Sequence, residues 1–290
     1  MNERIPTHNI IFATLIIILM IPSSLLEAQK QKEIDFIFIS NLFPETKSNE
    51  MKISFELWAT KLFINAGLNY KINLKIIDRN NFEQKKYDTN SCYMVVLSSI
   101  IYLQTKDDRR LEPILITYED NSQAYVIVTK KNITELNDLR NHKLAITDVG
   151  FGEIAEFWLN SIMQKEYNQD KSNFFKKVNY LDSESRCVNS VFFSKDDACV
   201  VREDVYNLTC ELNPQIRNKT HIIRKSVNLL HSVFCLTGKF TPEEKKRFIS
   251  SVFKIQETPD GEQIMNLFKR TKLIEFKQEY LENIEELINK

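Results

Sequence analysis

Two hydrophobic periods alternate along this chain beyond its first 28 residues. Short runs rich in β-branched and aromatic residues, at 34–39, 70–77, 93–97, 114–118, 124–129, 143–147, 177–180 and 197–201, read as strands. Longer stretches with apolar residues three and four apart separate many of them. The first, 49–66, sets Ile53, Leu57, Lys61 and Ile64 on one side with Phe55, Trp58 and Leu62 nearby, and Gly67 follows where a helix takes a left-handed cap. Strand-helix alternation predicts an α/β fold with mainly parallel sheets, whose loops gather at the carboxyl ends of the strands and form the ligand site.

The stretch 133–158 carries the sharpest local signal: a short helix, a strand at 143–147, a turn at 148–152 and a second helix opening near Glu153, with Ile154, Phe157, Trp158 and Ile162 at helical spacing. The chain has only five glycines, and Gly150 and Gly152 fall within three residues of each other in this turn, a concentration that backbone geometry explains. A strand-to-helix turn aims amides without intrahelical partners at a cleft, at the positive end of the helix dipole, which suits an anionic or strongly polar ligand.

Two segments break the alternation. Residues 114–130 form two extended runs around Glu119-Asp120-Asn121-Ser122, and 229–237 is a further extended run. With 124–129 and 232–237 as crossover strands, the chain builds one lobe, leaves it, builds a second and returns. The expected limits are 31–122 plus 237–290 for lobe one and 123–236 for lobe two. The tail then adds helices at 242–254, 259–269 and 277–289, the first two with Thr241 and Thr258 as N-caps and proline in the first turn.

Residues 1–28 differ from the rest: Arg4 precedes an apolar run, 10–21, that ends at Pro22-Ser23-Ser24, with Ala28 as a small residue for cleavage. This predicts an export signal or an N-terminal anchor, hence a periplasmic or extracytoplasmic protein. The balance of 39 Lys plus Arg against 39 Asp plus Glu argues against nucleic acid as partner, because no basic excess exists to neutralise phosphates. Cys92, Cys187, Cys199, Cys210 and Cys235 include no CxxC pair, so spacing supports no zinc site. One disulfide among the last four is compatible with export, with the pairing left open.

The order of FPETKSNEMKISFELWATKL, EPILITYEDNSQAYVIVTKK, ITELNDLRNHKLAITDVG and TPDGEQIMNLF resembles the phosphonate/phosphate-type solute-binding proteins of ABC importers, the PhnD-like family, from about residue 34 to the last helix. The resemblance implies the type II periplasmic-binding fold: two lobes that close on a small oxyanion or other polar ligand and deliver it to a membrane permease, as a monomer, without cofactor, metal or catalysis. It also implies contacts from Ser40, Asn41, Leu42 and Phe43 after the first strand, from Ser98, Ser99 and Tyr102, from Tyr118 and Tyr125 at the crossover, and from Gly150, Phe151, Gly152 and Glu153. Arg202, just after the apolar run Asp197-Ala198-Cys199-Val200-Val201, is added as a bidentate clamp for a carboxylate or phosphonate.

The chain departs from the family at its second-lobe turn, where Val149 to Glu153 replace the usual run of Ser and Thr hydroxyls. A carboxylate at Glu153 competes with an anion for the same amides. It therefore favours a cationic, zwitterionic or neutral polar ligand, or else caps the helix. Two other functions compete with import. Gly150, Gly152 and Ala155 satisfy the GxGxxA pattern of a dinucleotide site, yet Asp170, twenty residues on, lies in a polar stretch and not at a strand end. The same fold also serves as a sensory input domain signalling through a separate membrane partner.

Overall fold

The computed structural model describes residues 31–39, 48–118, 123–148, 152–267 and 271–288; the leader expected at 1–28 lies outside them. Eleven strands occur among these residues: β1 (Lys32–Ile39), β2 (Tyr70–Ile77), β3 (Cys92–Ser98), β4 (Glu112–Tyr118), β5 (Tyr125–Lys130), β6 (Lys143–Thr147), β7 (Lys177–Leu181), β8 (Ala198–Arg202), β9 (Thr220–Lys225), β10 (Ser232–Leu236) and β11 (Lys272–Glu275). The helices before β5 are α1 (Ser48–Asn65), α2 (Arg79–Glu83) and α3 (Ser99–Arg109). Those that follow β6 are α4 (Gly152–Tyr167), α5 (Lys171–Phe174), α6 (Glu184–Phe192), α7 (Glu203–Leu212), α8 (Pro214–Lys219), α9 (Pro242–Ile255), α10 (Pro259–Leu267) and α11 (Glu282–Ile288).

The strands make two sheets, ordered β11-β4-β10-β3-β1-β2 and β7-β6-β8-β5-β9. Both are mixed, each built on a parallel set of strands, as the alternation predicts, with a minority running against it. β1 runs parallel to β3, and β6 parallel to β7 and β8, whereas β10 is antiparallel to β3 and β4, and β5 antiparallel to β8 and β9. The strands that oppose the parallel set are β10 and β11 in the first sheet and β5 in the second, and β5 and β10 each border a passage between the sheets. Neither candidate crossover strand crosses: β5 pairs wholly within the second sheet and β10 wholly within the first. Residues 232–236, assigned from sequence to lobe two, therefore belong to the first sheet, and the return passage is the segment 226–231.

All seven residues of β3 are buried and the last six of β1, which is why these strands show continuous apolar runs and not alternation. Beside them an aromatic cluster packs under α1 and α9. Phe63 stacks on Phe248 with centroids 4.9 Å apart, and Phe36 meets Phe63 edge-on at 5.6 Å. This fixes the orientation of α1 against the simplest reading of its sequence. Phe55, Ala59, Leu62 and Phe63 are buried, while Ile53, Leu57 and Ile64 face outward. The helix is apolar on more than one side, and the aromatic side, with more area to remove from water, wins the core.

Gly67 takes a left-handed conformation, φ +68°, and ends α1 as expected, its N–H donating to the Ile64 carbonyl at 2.9 Å. Thr241 caps α9 in a reciprocal box with Glu244, and Thr258 accepts from the Gly261 N–H at 3.3 Å at the start of α10. All five cysteines are free and buried, so no disulfide forms among Cys187, Cys199, Cys210 and Cys235. From Glu33 on, the chain is one compact unit. One apolar cluster runs from Ile37, Val95 and Leu97 in the first sheet through Tyr125 to Ile127, Leu144 and Ile146 in the second.

Candidate functional site

The starts of two helices, each following a strand of a different sheet, meet in one hydrogen-bonded contact. In the first sheet, Ser98 ends β3 in extended geometry and caps α3, its Oγ accepting from the Ile101 N–H at 3.2 Å. The Ser98 hydroxyl hydrogen is then available to donate, and it does so to Glu153 Oε2 at 3.2 Å. Ser99, which the family resemblance groups with Ser98, is turned inward. Its Oγ donates to the Leu230 carbonyl at 2.5 Å and its N–H to the His231 carbonyl at 3.1 Å, tying α3 to the return passage. Tyr102 is also a core residue, its ring 6.4 Å from that of Phe276.

In the second sheet, β6 ends at Thr147 and α4 begins at Gly152. A Cβ on Gly152 would sit 1.9 Å from the Thr147 carbonyl oxygen, so only glycine lets the helix start so close to the strand end. The turn between them, with Gly150 and Phe151, lies outside the described residues, as do Ser40, Asn41, Leu42 and Phe43. Glu153 follows in the first turn of α4. Its carboxylate engages the first sheet's layer, bonding Arg79 Nη1 as well as Ser98.

Arg79 is the residue that sequence reasoning missed. It opens α2, and its guanidinium has three partners: Nε donates to Glu83 Oε1 at 2.5 Å, Nη2 to Gln104 Oε1 at 2.7 Å, and Nη1 to Glu153. The Glu153 side chain retains 14% of its exposure and that of Arg79 35%. Burial raises the Glu153 pKa, opposed by the Arg79 charge and by the hydrogen bond from Ser98. Arg79 and Glu83 are visible in the sequence as a helical i,i+4 pair. No sequence signal connects either to Glu153, which is 74 residues away.

Arg202 does not stand open in the cleft as the sequence suggested. It follows the apolar strand β8, and its Nε donates to Glu184 Oε2 at 3.0 Å while its own N–H donates to Glu184 Oε1 at 2.7 Å. Asp204 lies 3.6 Å from Nη2, and only 16% of the Arg202 side chain is exposed. The guanidinium is thus committed to the protein's own carboxylates. Tyr125 is fully buried, its ring 5.7 Å from His231 and 6.5 Å from Trp158, a packing position at the inter-sheet passages. Burial pushes its hydroxyl pKa well up. Tyr118 ends β4, its backbone in register with Lys272 of β11.

The passages themselves are cross-linked. The Tyr125 N–H donates to Ser226 Oγ at 2.8 Å, the Ser226 N–H returns to the Tyr125 carbonyl at 2.9 Å, and the Leu229 N–H donates to the Gln123 carbonyl at 3.2 Å. Thr117 and Ser232 share a hydroxyl hydrogen bond at 3.2 Å on the first-sheet side. Among the described residues no group of three or more His, Cys, Asp or Glu could hold a metal ion. No helix among them is long and apolar enough to cross a membrane.

Residues 24–281 match the protein family described as ABC transporter, phosphonate, periplasmic substrate-binding protein. Among solved structures, PhnD1 from Prochlorococcus marinus (MIT 9301) in complex with methylphosphonate superposes with a TM-score of 0.65 at 15% identity, covering 89% of this chain and 98% of its own. XAC2383 from Xanthomonas citri bound to ATP gives 0.67 at 11% identity over 88% and 95% of the two chains. The binding protein component of an ABC phosphonate transporter (PA3383) from Pseudomonas aeruginosa gives 0.63 at 15% identity over 89% and 86%. No curated protein sequence matches the chain. At these identities the superpositions establish the fold: two mixed sheets flanked by helices in the two-lobed arrangement of periplasmic binding proteins.

Proposed function

The chain belongs to the phosphonate-type periplasmic substrate-binding family of ABC transporters, and from that premise we propose that it captures a small oxyanion or zwitterion between its two sheets by hinge closure. It is a solute-binding protein; the ligand, the moving parts and the delivery are the proposal. Lobe one is taken as residues 33–118 with 232–288, and lobe two as 125–225, joined through 119–124 and 226–231. The observation that carries this reading is the meeting of two strand-to-helix turns, Ser98 before α3 and Gly152-Glu153 at the start of α4, in one hydrogen-bonded contact. Such turns place helix amides and hydroxyls where a ligand can be enclosed from both sides.

The protein itself performs no chemistry in this reading. A membrane permease receives the solute, and the chain works outside the cytoplasm. Methylphosphonate, bound in the Prochlorococcus protein, is the first candidate solute. A thermal-shift panel of phosphate, methylphosphonate, sulfonates, amino acids and polyamines tests the reading, because a ligand stabilises the state it binds. Stabilisation by one solute class is the expected result, and no shift with any member of the panel would count against solute binding.

A further inference from the structure

Arg79, Ser98, Glu83 and Gln104 form an anion seat that belongs entirely to lobe one. Glu83 and Gln104 hold the guanidinium through Nε and Nη2, at 2.5 Å and 2.7 Å. Ser98 Oγ accepts from the Ile101 N–H at the cap of α3, which leaves its own hydrogen to donate. None of these bonds needs Glu153. Of the donors the seat leaves over, the guanidinium Nη1 and the Ser98 hydroxyl are taken by the two oxygens of the Glu153 carboxylate from lobe two. Two oxygens of one acidic group on two pre-positioned donors is how a phosphonate or carboxylate would sit there.

We propose that Glu153 is a built-in competitor occupying the solute's oxyanion position, and that Arg79 with Ser98 is the contact an incoming oxyanion must take from it. Solute capture is then an exchange of one anion for another and not the filling of an open pocket. The charges give this a direction. With Glu153 present, Arg79 faces two carboxylates, Glu83 and Glu153, and the set carries a net negative charge that repels anions. Without Glu153 the set is neutral, keeps its two donors oriented, and suits a singly charged oxyanion.

This rests on the solute-binding reading and deepens it. The test is calorimetric titration of inorganic phosphate and of methylphosphonate into wild type, Glu153→Ala, Glu153→Gln and the double variant Glu153→Ala with Arg79→Ala. Glu153→Ala is expected to bind at least one of the two about tenfold tighter than wild type, and the added Arg79→Ala to cancel the gain. Glu153→Gln keeps the side chain's volume while removing its charge, so it gives the same direction of change if the alanine variant folds poorly. Equal or weaker binding by both Glu153 variants would overturn the exchange, as would a gain that survives loss of Arg79. If wild type binds a solute while the variants gain nothing, solute binding stands and the exchange falls. If no solute in the wider panel shifts either form, both fall.

Discussion

Two of the partly buried ion pairs among the described residues, Arg79–Glu153 and Arg202–Glu184, differ in what they join. Arg79 and Glu153 come from the layers of different sheets and meet only because those layers touch. Arg202 and Glu184 both belong to the second sheet's layer, beside the passage residues Tyr125 and His231, whose rings contact each other. The first pair is half open at its arginine, with 35% of that side chain exposed, whereas the second keeps 16% and 17%. A contact between lobes can be made and broken by closure, and its loss re-solvates both partners. A contact inside one lobe has no such exit. The inter-lobe pair is therefore suited to function and the intra-lobe pair to holding the hinge region in shape.

The largest expected effect breaks the second pair. Arg202→Ala leaves Glu184 and Asp204 buried without their cation, which costs about 3–5 kcal/mol. Denaturant unfolding checks this as a fall in midpoint with unchanged slope. A small loss of stability with a large loss of solute affinity would instead restore Arg202 as a ligand clamp. Next comes Gly152→Ala. Its Cβ cannot coexist with the Thr147 carbonyl 1.9 Å away, so the start of α4 must shift, at about 3 kcal/mol. Because Glu153 is the next residue, this variant is also expected to lose the Arg79 contact. An unchanged melting temperature would show that the turn has slack.

How far the sequence revealed these regions follows from the range of the interactions. The strand β6, the start of α4, the cap at Gly67 and the N-cap at Thr241 are local patterns, and each is found where its residues predict. Ser98 was legible as the end of an apolar strand. Its neighbour Ser99 carries the same local signal and points into the core, because α3 must pack on the return passage. The outward turn of Ile53 and Leu57 depended on aromatic partners from α9, far along the chain. β11 joins the first sheet only through pairing with β4, and its four residues show no period of their own. Arg79 looks like an ordinary surface charge until the two lobes are placed together, and Glu153, marked by its place at a helix start, gives no sign of its partner.

A third prediction sets the hinge region against acid. Burial, aided by the nearby Arg202 charge, lowers the His231 pKa to about 3, with Glu184 and Asp204 opposing it. The Tyr125 ring lies against the imidazole. The folded protein thus keeps His231 neutral while the unfolded chain takes up a proton below its ordinary value near 6.5. The stability this contributes is full above that value and is lost as pH falls from there toward 3. At pH 5 the loss is about 2 kcal/mol. Unfolding midpoints measured across this range should fall for wild type and less steeply for His231→Phe; parallel curves would show that other groups set the acid limb.

The smallest expected effect is the energy of the inter-lobe pair itself, and a small energy is what an exchangeable contact requires. Breaking a fully buried pair costs several kcal/mol, but Arg79 remains a third exposed and keeps Glu83 and Gln104 when Glu153 is gone. Glu153 for its part is relieved of a burial that disfavours its charge. A double-mutant cycle of Arg79→Met and Glu153→Gln should therefore give a coupling of about 1 kcal/mol, near the upper end for partly exposed pairs. A coupling of that size can bias the lobes toward closure while leaving them open to a solute whose own anion makes the same two contacts. A coupling near zero would mean the lobes are not held by this pair. One of several kcal/mol would make Glu153 too strong a competitor for a small oxyanion to displace, leaving the contact as a permanent brace.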